Sequence, residues 1–304
     1  VNGTSALHIS LLLANVEKND EVITQPLTFV ATCNAINYCG AQPIFIDVDK
    51  DTMGLSSSAL KYFLENNTTV KNKQCINNRT GKVIKACVPM HTFGRPCRID
   101  EIKEICDKHH IFLIEDAAES VGSTYKGRHT GTFGQAGVMS FNGNKIITTS
   151  GGGMILSNNE DYINQAKKLA AQSREEVIHY EHKQIGYNYR MSNILAALGR
   201  AQLKSLNSYV DKKRNIFEYY FNNLKAIDDI TFMPEIKNGK SSRWLSVILL
   251  REKNHDQIEQ IIKSFEKEFI ETRPIWKPMH LQPIFSNTPF YHSSVSPLSI
   301  SLFE

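Results

Sequence analysis

The sequence predicts an α/β fold: a mainly parallel sheet flanked by helices, followed by a smaller C-terminal α/β domain. Short apolar runs ("PIFIDV", "VIKACVPM", "IFLIED") alternate with longer segments whose apolar residues recur at helical spacing. The runs are apolar at nearly every position rather than at every second one, as expected of strands covered on both faces in a parallel sheet. At 304 residues, 41% hydrophobic and 22% charged, the chain is long enough for one large core and a second, smaller one.

Taken in order, the tight "NGT" leads into a helix over Ala6 to Val16, "EVITQP" reads as a short strand, and a second helix runs from Val30 to Tyr38. "PIFIDV" is a strand and "SSSALKYFLENN" a serine-capped helix. "VIKACVPM" is the next strand, "IDEIKEICDKHH" a helix and "IFLIED" another strand. Apolar, strand-like runs flank "SFNGNKIITTSGGGM". Helices follow from Glu160 to about Ala171, Ser192 to Leu206 and Tyr209 to Leu224, the last two after the loop "HYEHKQIGYNYRM". "SRWLSVILL" as a strand, "DQIEQIIKSFEKEF" as a helix and the Pro-rich "RPIWKPMHLQP" make up the smaller domain. The boundaries are 1–205 and 206–304. The chain opens without methionine and stops at "SLFE", so both ends read as cut, and residues beyond them are expected to complete the two domains.

Charge and composition exclude several function classes. A formal net charge of +4 and a pI near 8.6, without a run of Lys or Arg, give no basic arm for nucleic acid. No apolar run reaches the roughly 18 residues that span a bilayer, and no secretory signal opens the chain. The six cysteines form no C-x-x-C pair and sit in apolar surroundings, which predicts a reduced, cytoplasmic protein. No metal site is expected. "DVDKDTMG" imitates an EF-hand loop but carries Thr52 and Ser58 where glycine and glutamate are needed, and His179 and His182 lack a ligand motif.

Three places could carry chemistry. Glu115 and Asp116 leave a buried strand, where a charge is costly unless paired. Asp116 and Glu119 have the spacing of a variant capping box, with Asp116 as N-cap. Alternatively, a carboxylate at a strand's carboxyl end holds a proton on a heterocyclic nitrogen. Gly3, Thr4 and Ser5 start a helix, where unpaired N–H groups and the positive end of the dipole suit a phosphate, although an ordinary helix entry looks the same. Ser140 adds a hydroxyl. Lys145 stands among small and glycine residues (Gly143, Gly151 to Gly153), and an amine partly withdrawn from water favours its neutral form, nucleophilic toward a carbonyl.

Together and in this order, "NGTSALH", "PLTFVATCNAI", "IEDAAESVGSTYKGRHTGTFG", "SFNGNKIITTSGGGM" and "GYNYRMSNILAALGRAQL" resemble the DegT/StrS family of sugar aminotransferases over roughly residues 1 to 210. "VNGTSALH", "SFNGNKIITT" and "ETRPIWKPMHLQ" look most like its LegC-type branch, of the bacillosamine and legionaminic acid-like pathways. The resemblance implies the fold-type-I aminotransferase scaffold and pyridoxal 5'-phosphate as cofactor. It makes Lys145 the lysine that binds the cofactor covalently and Asp116 the partner of its ring nitrogen. Phe29 would stack on the ring, Thr4 and Ser5 would bind the phosphate through backbone N–H groups, and Ser140 through its hydroxyl. Asn188 would reach the phosphate from the neighbouring subunit of a homodimer with shared active sites. Glu119 stands where the family commonly has glutamine or histidine near the ring oxygen, so contact and cap both remain open. Arg273, Trp276 and His280 would approach a nucleotide-sugar substrate.

The implied reaction moves an amino group, from glutamate by family analogy, to the C4 ketone of a nucleotide-linked 4-keto-6-deoxy-N-acetylhexosamine for surface glycans such as lipopolysaccharide O-antigen. Sugar dehydrases of the family carry histidine at the lysine position, so Lys145 argues for amination. A noncatalytic module that binds pyridoxal phosphate or nucleotide sugar is the other alternative.

Overall fold

The structure, a computed structural model, describes residues 1–251, 255–293 and 297–303. Residues 252–254, 294–296 and 304, all within the expected C-terminal domain, lie outside the described residues.

The chain begins with α1 (Gly3–Leu13), β1 (Glu21–Thr24), α2 (Val30–Tyr38), β2 (Gln42–Ile46) and α3 (Ser57–Asn67). Next come the hairpin β3 (Thr68–Lys71) and β4 (Gln74–Asn77), then β5 (Val83–Val88), α4 (Ile99–Lys108) and β6 (Phe112–Asp116). The two-residue strands β7 (Thr124–Tyr125) and β8 (Arg128–His129) precede β9 (Ala136–Ser140), β10 (Gly153–Leu156) and α5 (Glu160–Ala170). Helices α6 (Asn193–Leu203) and α7 (Leu206–Leu224) lead to β11 (Ile230–Phe232), β12 (Gly239–Lys240), β13 (Ile248–Leu250) and α8 (His255–Lys267). β14 (Phe290–Tyr291) and α9 (Leu298–Phe303) complete the described chain.

The main sheet runs β10-β9-β6-β5-β1-β2-β14, parallel throughout except for β10, with β4 and β3 added against the start of β5. Neighbouring residues feed opposite faces. Ile23, Cys87 and Leu113 pack with Leu60 and Phe63 of α3 and Ile102 and Cys106 of α4. Val22, Ala86, Val88 and Ile114 pack with Leu7 and Leu11 of α1 and Ile36 of α2. Both faces are therefore covered, which is why the strands are apolar almost throughout; each such Leu or Ile contributes about 2 kcal/mol on burial.

Several expectations are corrected. The first helix is α1, Gly3–Leu13, not Ala6 to Val16, because Asn2 caps it: its side chain accepts from Ser5 N at 2.8 Å. Only Ile248–Leu250 of "SRWLSVILL" forms a strand; before it, Ser241 Oγ donates to Gly94 O, Ser242 N to Ser123 Oγ and Arg243 Nη1 to Met233 O, which ties this stretch to neighbouring loops instead. The β3–β4 hairpin was not anticipated. Its turn residues Asn72 and Lys73 have φ of 51° and 59°, the left-handed pair a two-residue hairpin requires, without a glycine to announce it. Beyond the expected boundary at 205/206, β14 extends the large sheet beside β2, and the Asp47 carboxylate accepts from Leu298 N (2.7 Å) and Ser299 N (3.0 Å) at the start of α9.

Candidate active site

Strand order reverses between β1 and β5: the chain steps outward from β1 to β2, then crosses to β5 and β6 on the other side. A crevice at such a reversal, outside the strands' carboxyl ends, is where open α/β sheets bind ligands. Thr24 Oγ1 donates to Val88 O (2.8 Å) across this point. Gln25 ties the loops beyond it, accepting from Leu55 N (2.9 Å) and Met90 N (3.0 Å) and donating to Thr92 Oγ1 (2.8 Å).

The two carboxylates ending β6 face opposite ways and have different surroundings. Glu115 accepts from the backbone N–H groups of Gly131 (2.8 Å), Phe133 and Gly134 (2.8 Å) and faces His91 Nε2 at 3.0 Å. Burial pushes its pKa up, but His91 and these N–H groups outweigh it and hold Glu115 below the usual range. Asp116 Oδ2 accepts from Thr32 Oγ1 (2.7 Å) and Oδ1 from Ala118 N (3.1 Å). Burial raises its pKa, opposed by these bonds and by the charges of Lys145 and His91. It makes no ion pair within 4.0 Å among the described residues, so this buried carboxyl group stands there without a direct cationic partner. No helix follows β6, and the capping box is not formed: Asp116 closes a local turn onto Ala118, while Glu119 points elsewhere.

Glu119 Oε2 accepts from Phe93 N (2.9 Å), and Oε1 lies 3.4 Å from Lys145 Nζ. Burial penalises its charge more than Lys145 and Phe93 relieve it, pushing its pKa up to about 7 from 4.5. The folded protein then binds more protons than the unfolded chain between those values, so this residue's contribution to stability falls as pH rises through the window. Relative to wild type, Glu119→Gln should therefore gain up to about 3 kcal/mol between about pH 4 and about pH 8. Urea unfolding of the cofactor-free protein measures it, and parallel stability curves would refute it.

Lys145 Nζ also lies 4.3 Å from the centroid of the Trp244 ring, whose Nε1 donates to Asn144 O (2.8 Å). The glycines nearby do unequal things. A Cβ on Gly153 would stand 2.3 Å from Asn2 O, so glycine is required for β10 to meet the start of α1; Gly143 has open space around it. A Cβ on Gly3 would lie 3.0 Å from Ser140 Cβ, so the first turn of α1, with Thr4 and Ser5, packs directly on Ser140. The Ser5 N–H is engaged by Asn2.

Phe29, the N-cap of α2, is 53% exposed; its ring lies 6.0 Å from that of Trp276, which in turn lies 4.7 Å from Phe93. Arg273 points to solvent and pairs with Glu271 at 2.9 Å. His280 stacks on Phe290 (4.0 Å, 10°), beside Phe45; neither ring nitrogen has a hydrogen-bond partner among the described residues, and burial lowers its pKa. Asn188 is exposed on the loop before α6. Lys145, Glu119, Asp116, Ser140 and the start of α1 thus gather at the strands' carboxyl ends with Phe29 and Trp276, whereas Arg273 pairs with Glu271, His280 stacks on Phe290 and Asn188 bridges to Ala171, all outside that group. Thr32 and Trp244 were missed from sequence. Thr32 lies one helical turn after Phe29, a usable signal; Trp244 had none beyond the rarity of tryptophan.

The donor set fits pyridoxal phosphate. It offers an amine for an aldehyde, an unpaired buried carboxylate for a protonated ring nitrogen, a hydroxyl beside a helix start for a phosphate, and an exposed aromatic ring.

A profile of the DegT/DnrJ/EryC1/StrS aminotransferase family matches residues 1–304. The putative pyridoxal phosphate-dependent aminotransferase EpsN of Bacillus subtilis (strain 168) is 45% identical over 304 residues, 100% of this chain and 75% of the relative. The GDP-perosamine synthase of Escherichia coli O157:H7 is 38% identical over 285 residues, 94% of this chain and 73% of the relative. Among solved structures, a DegT DnrJ EryC1 StrS aminotransferase from Brucella abortus superposes with a TM-score of 0.87 at 25% identity, covering 99% of this chain and 77% of that one. PseC of Helicobacter pylori, an aminotransferase of pseudaminic acid biosynthesis, gives 0.82 at 27% identity, covering 94% and 73%.

Proposed function

The chain belongs to the DegT/DnrJ/EryC1/StrS aminotransferase family, and on that premise we propose that it carries an amino group from glutamate to the C4 ketone of a nucleotide-linked 4-keto-6-deoxy-N-acetylhexosamine. The product is a 4-amino sugar for a surface glycan, as in the LegC-type branch. The observation that carries this reading is the meeting of Lys145 Nζ with buried Glu119, within the field of a buried Asp116 that has no ion-pair partner among the described residues. The relatives named for GDP-perosamine and pseudaminic acid synthesis support a nucleotide-sugar substrate.

Pyridoxal phosphate supplies an aldehyde that an amine can capture and a protonated ring that accepts the electron pair of a carbon losing its proton. Asp116 would hold that ring proton, with Phe29 and Glu119 beside the ring. Ser140 with the start of α1, at Thr4 and Ser5, would hold the phosphate, the Ser5 N–H sharing itself with Asn2. Lys145 Nζ would hold the cofactor at rest and, when free, would take the proton from the donor Cα in one half-reaction and deliver a proton to C4 of the sugar in the other. Trp276, beside Phe29, would meet the nucleotide sugar together with Arg273 and His280.

The active unit is a homodimer. Helix α6 buries none of its residues although Ile194, Leu198 and Leu203 are apolar, and Ile178, Tyr180 and Ile185 of the preceding loop are exposed. A second copy of the chain covers that surface and brings Asn188 of the partner subunit to the cofactor phosphate. All six cysteines are free thiols, which supports a reduced, cytoplasmic setting.

The test is to incubate the protein with pyridoxal phosphate, glutamate and a panel of UDP- and GDP-linked 4-keto-6-deoxy sugars, and to identify products by mass and NMR. An N-acetylated 4-amino sugar is expected. Absence of an amine product from every sugar would reject the reading.

A further inference from the structure

The segment 241–244 enters the site from the far part of the chain, and it is clamped there. Ser241 Oγ donates to Gly94 O (2.8 Å), Ser242 N to Ser123 Oγ (2.9 Å), and Ser123 Oγ in turn to Gly94 O (2.7 Å). The fit leaves no slack: a Cβ on Gly94 would lie 2.7 Å from Ser242 Oγ and 3.1 Å from Trp244 N. All four residues of the segment are buried. At its end, the Trp244 ring presents to Lys145 Nζ at 4.3 Å, and the indole N–H holds the carbonyl of Asn144, next to the lysine, at 2.8 Å. Glu119 Oε1 lies 3.4 Å from the same amine.

The backbone adds a second observation. Arg243, immediately before Trp244, has φ 51°, and Phe93, whose N–H holds Glu119, has φ 56°. Left-handed backbone is costly for residues with a Cβ, and such strain persists where the surroundings over-determine it. Here both strained residues hold a partner of one amine.

We infer that Trp244 is a positioning residue for Lys145: its ring face holds the ammonium of the unlinked lysine beside Glu119, so that the amine keeps one place while it is detached from cofactor and substrate. A partly desolvated cation over an indole face is attracted by the ring quadrupole, and indole is the best of the aromatic rings for this. The inference rests on the reading of Lys145 as the reactive amine. The competing account is that Trp244 only fills the cluster of Leu27, Met53, Phe93 and Met233.

The test uses the full chain without cofactor and reads Lys145 acetylation by limiting acetic anhydride, measured by mass spectrometry against the exposed Lys61. Trp244→Phe keeps a ring face and loses the bond to Asn144, whereas Trp244→Leu loses both. Labelling of Lys145 should stay within about twofold of wild type in the phenylalanine variant and rise about tenfold in the leucine variant. If leucine does not fold, Trp244→Met, also without a ring, takes its place. Equal rises in both variants would assign the effect to the Asn144 bond, and no rise in either would assign Trp244 to packing; each result overturns the proposal. Borohydride reduction of wild type with pyridoxal phosphate tests the underlying reading separately: an adduct on a lysine other than Lys145 would sink that reading whatever the Trp244 variants do.

Discussion

Lys145→Ala should abolish amino transfer and the visible absorbance expected of a lysine-bound cofactor while the protein stays folded. The side chain meets polar and electrostatic partners: Glu119 at 3.4 Å and the Trp244 ring face. Its backbone N–H donates to Asn142 O and is untouched by the change. Losing the ammonium leaves Glu119 without its cation, but a carboxyl already pushed up to about 7 answers by taking a proton, so the fold bears little cost. Function has no such relief. In the proposed reaction the same nitrogen anchors the cofactor and moves the proton, and general acid–base catalysis alone supplies about 10²–10⁴-fold. Steady-state product formation should fall at least that far, while circular dichroism and the thermal midpoint stay near wild type. Unchanged turnover would remove Lys145 from the chemistry.

Much of this was legible in the sequence because parallel strands announce themselves. Ile23, Cys87 and Leu113 face one layer while Val22, Ala86 and Ile114 face the other, so both alternating sets had to be apolar. Lys145 and Asp116 stand out as charges in surroundings that do not welcome one, but a role at the cofactor comes to them only through the family resemblance. Contacts of long sequence separation were not legible. Trp244 meets a lysine 99 positions earlier (244 minus 145), and β14 joins a strand laid down near the start of the chain. Local signals also misled. Asp116 and Glu119 have capping-box spacing, yet tertiary partners claim both: Thr32 takes one carboxylate, Phe93 and Lys145 the other. Once those bonds form, nothing is left to start a helix at Ala117.

Those partners also determine what Asp116→Asn should do. The amide is close in shape, and the local bonds can adapt to it. Asn Oδ1 accepts from Ala118 N as the carboxylate does, and Nδ2 can donate to Thr32 Oγ1, which can redirect its own hydrogen to Thr28 Oγ1 at 3.0 Å. Stability should therefore change little, and removing a buried charge offsets part of any loss, since burial is what raises the Asp116 pKa. Binding a protonated ring is another matter. A neutral amide cannot balance the ring's positive charge, and leaving a buried charge without its partner costs about 3–5 kcal/mol, a rate loss of about 10²–10⁴-fold if it is felt in full at the transition state. The half-reaction with glutamate, followed by stopped-flow absorbance at saturating cofactor, isolates this step from sugar binding. A loss of that size with an unchanged urea midpoint would identify Asp116 as the counter-charge of the ring. Activity within about threefold of wild type would leave it only the turn onto Ala118, an effect too small to move the chemistry.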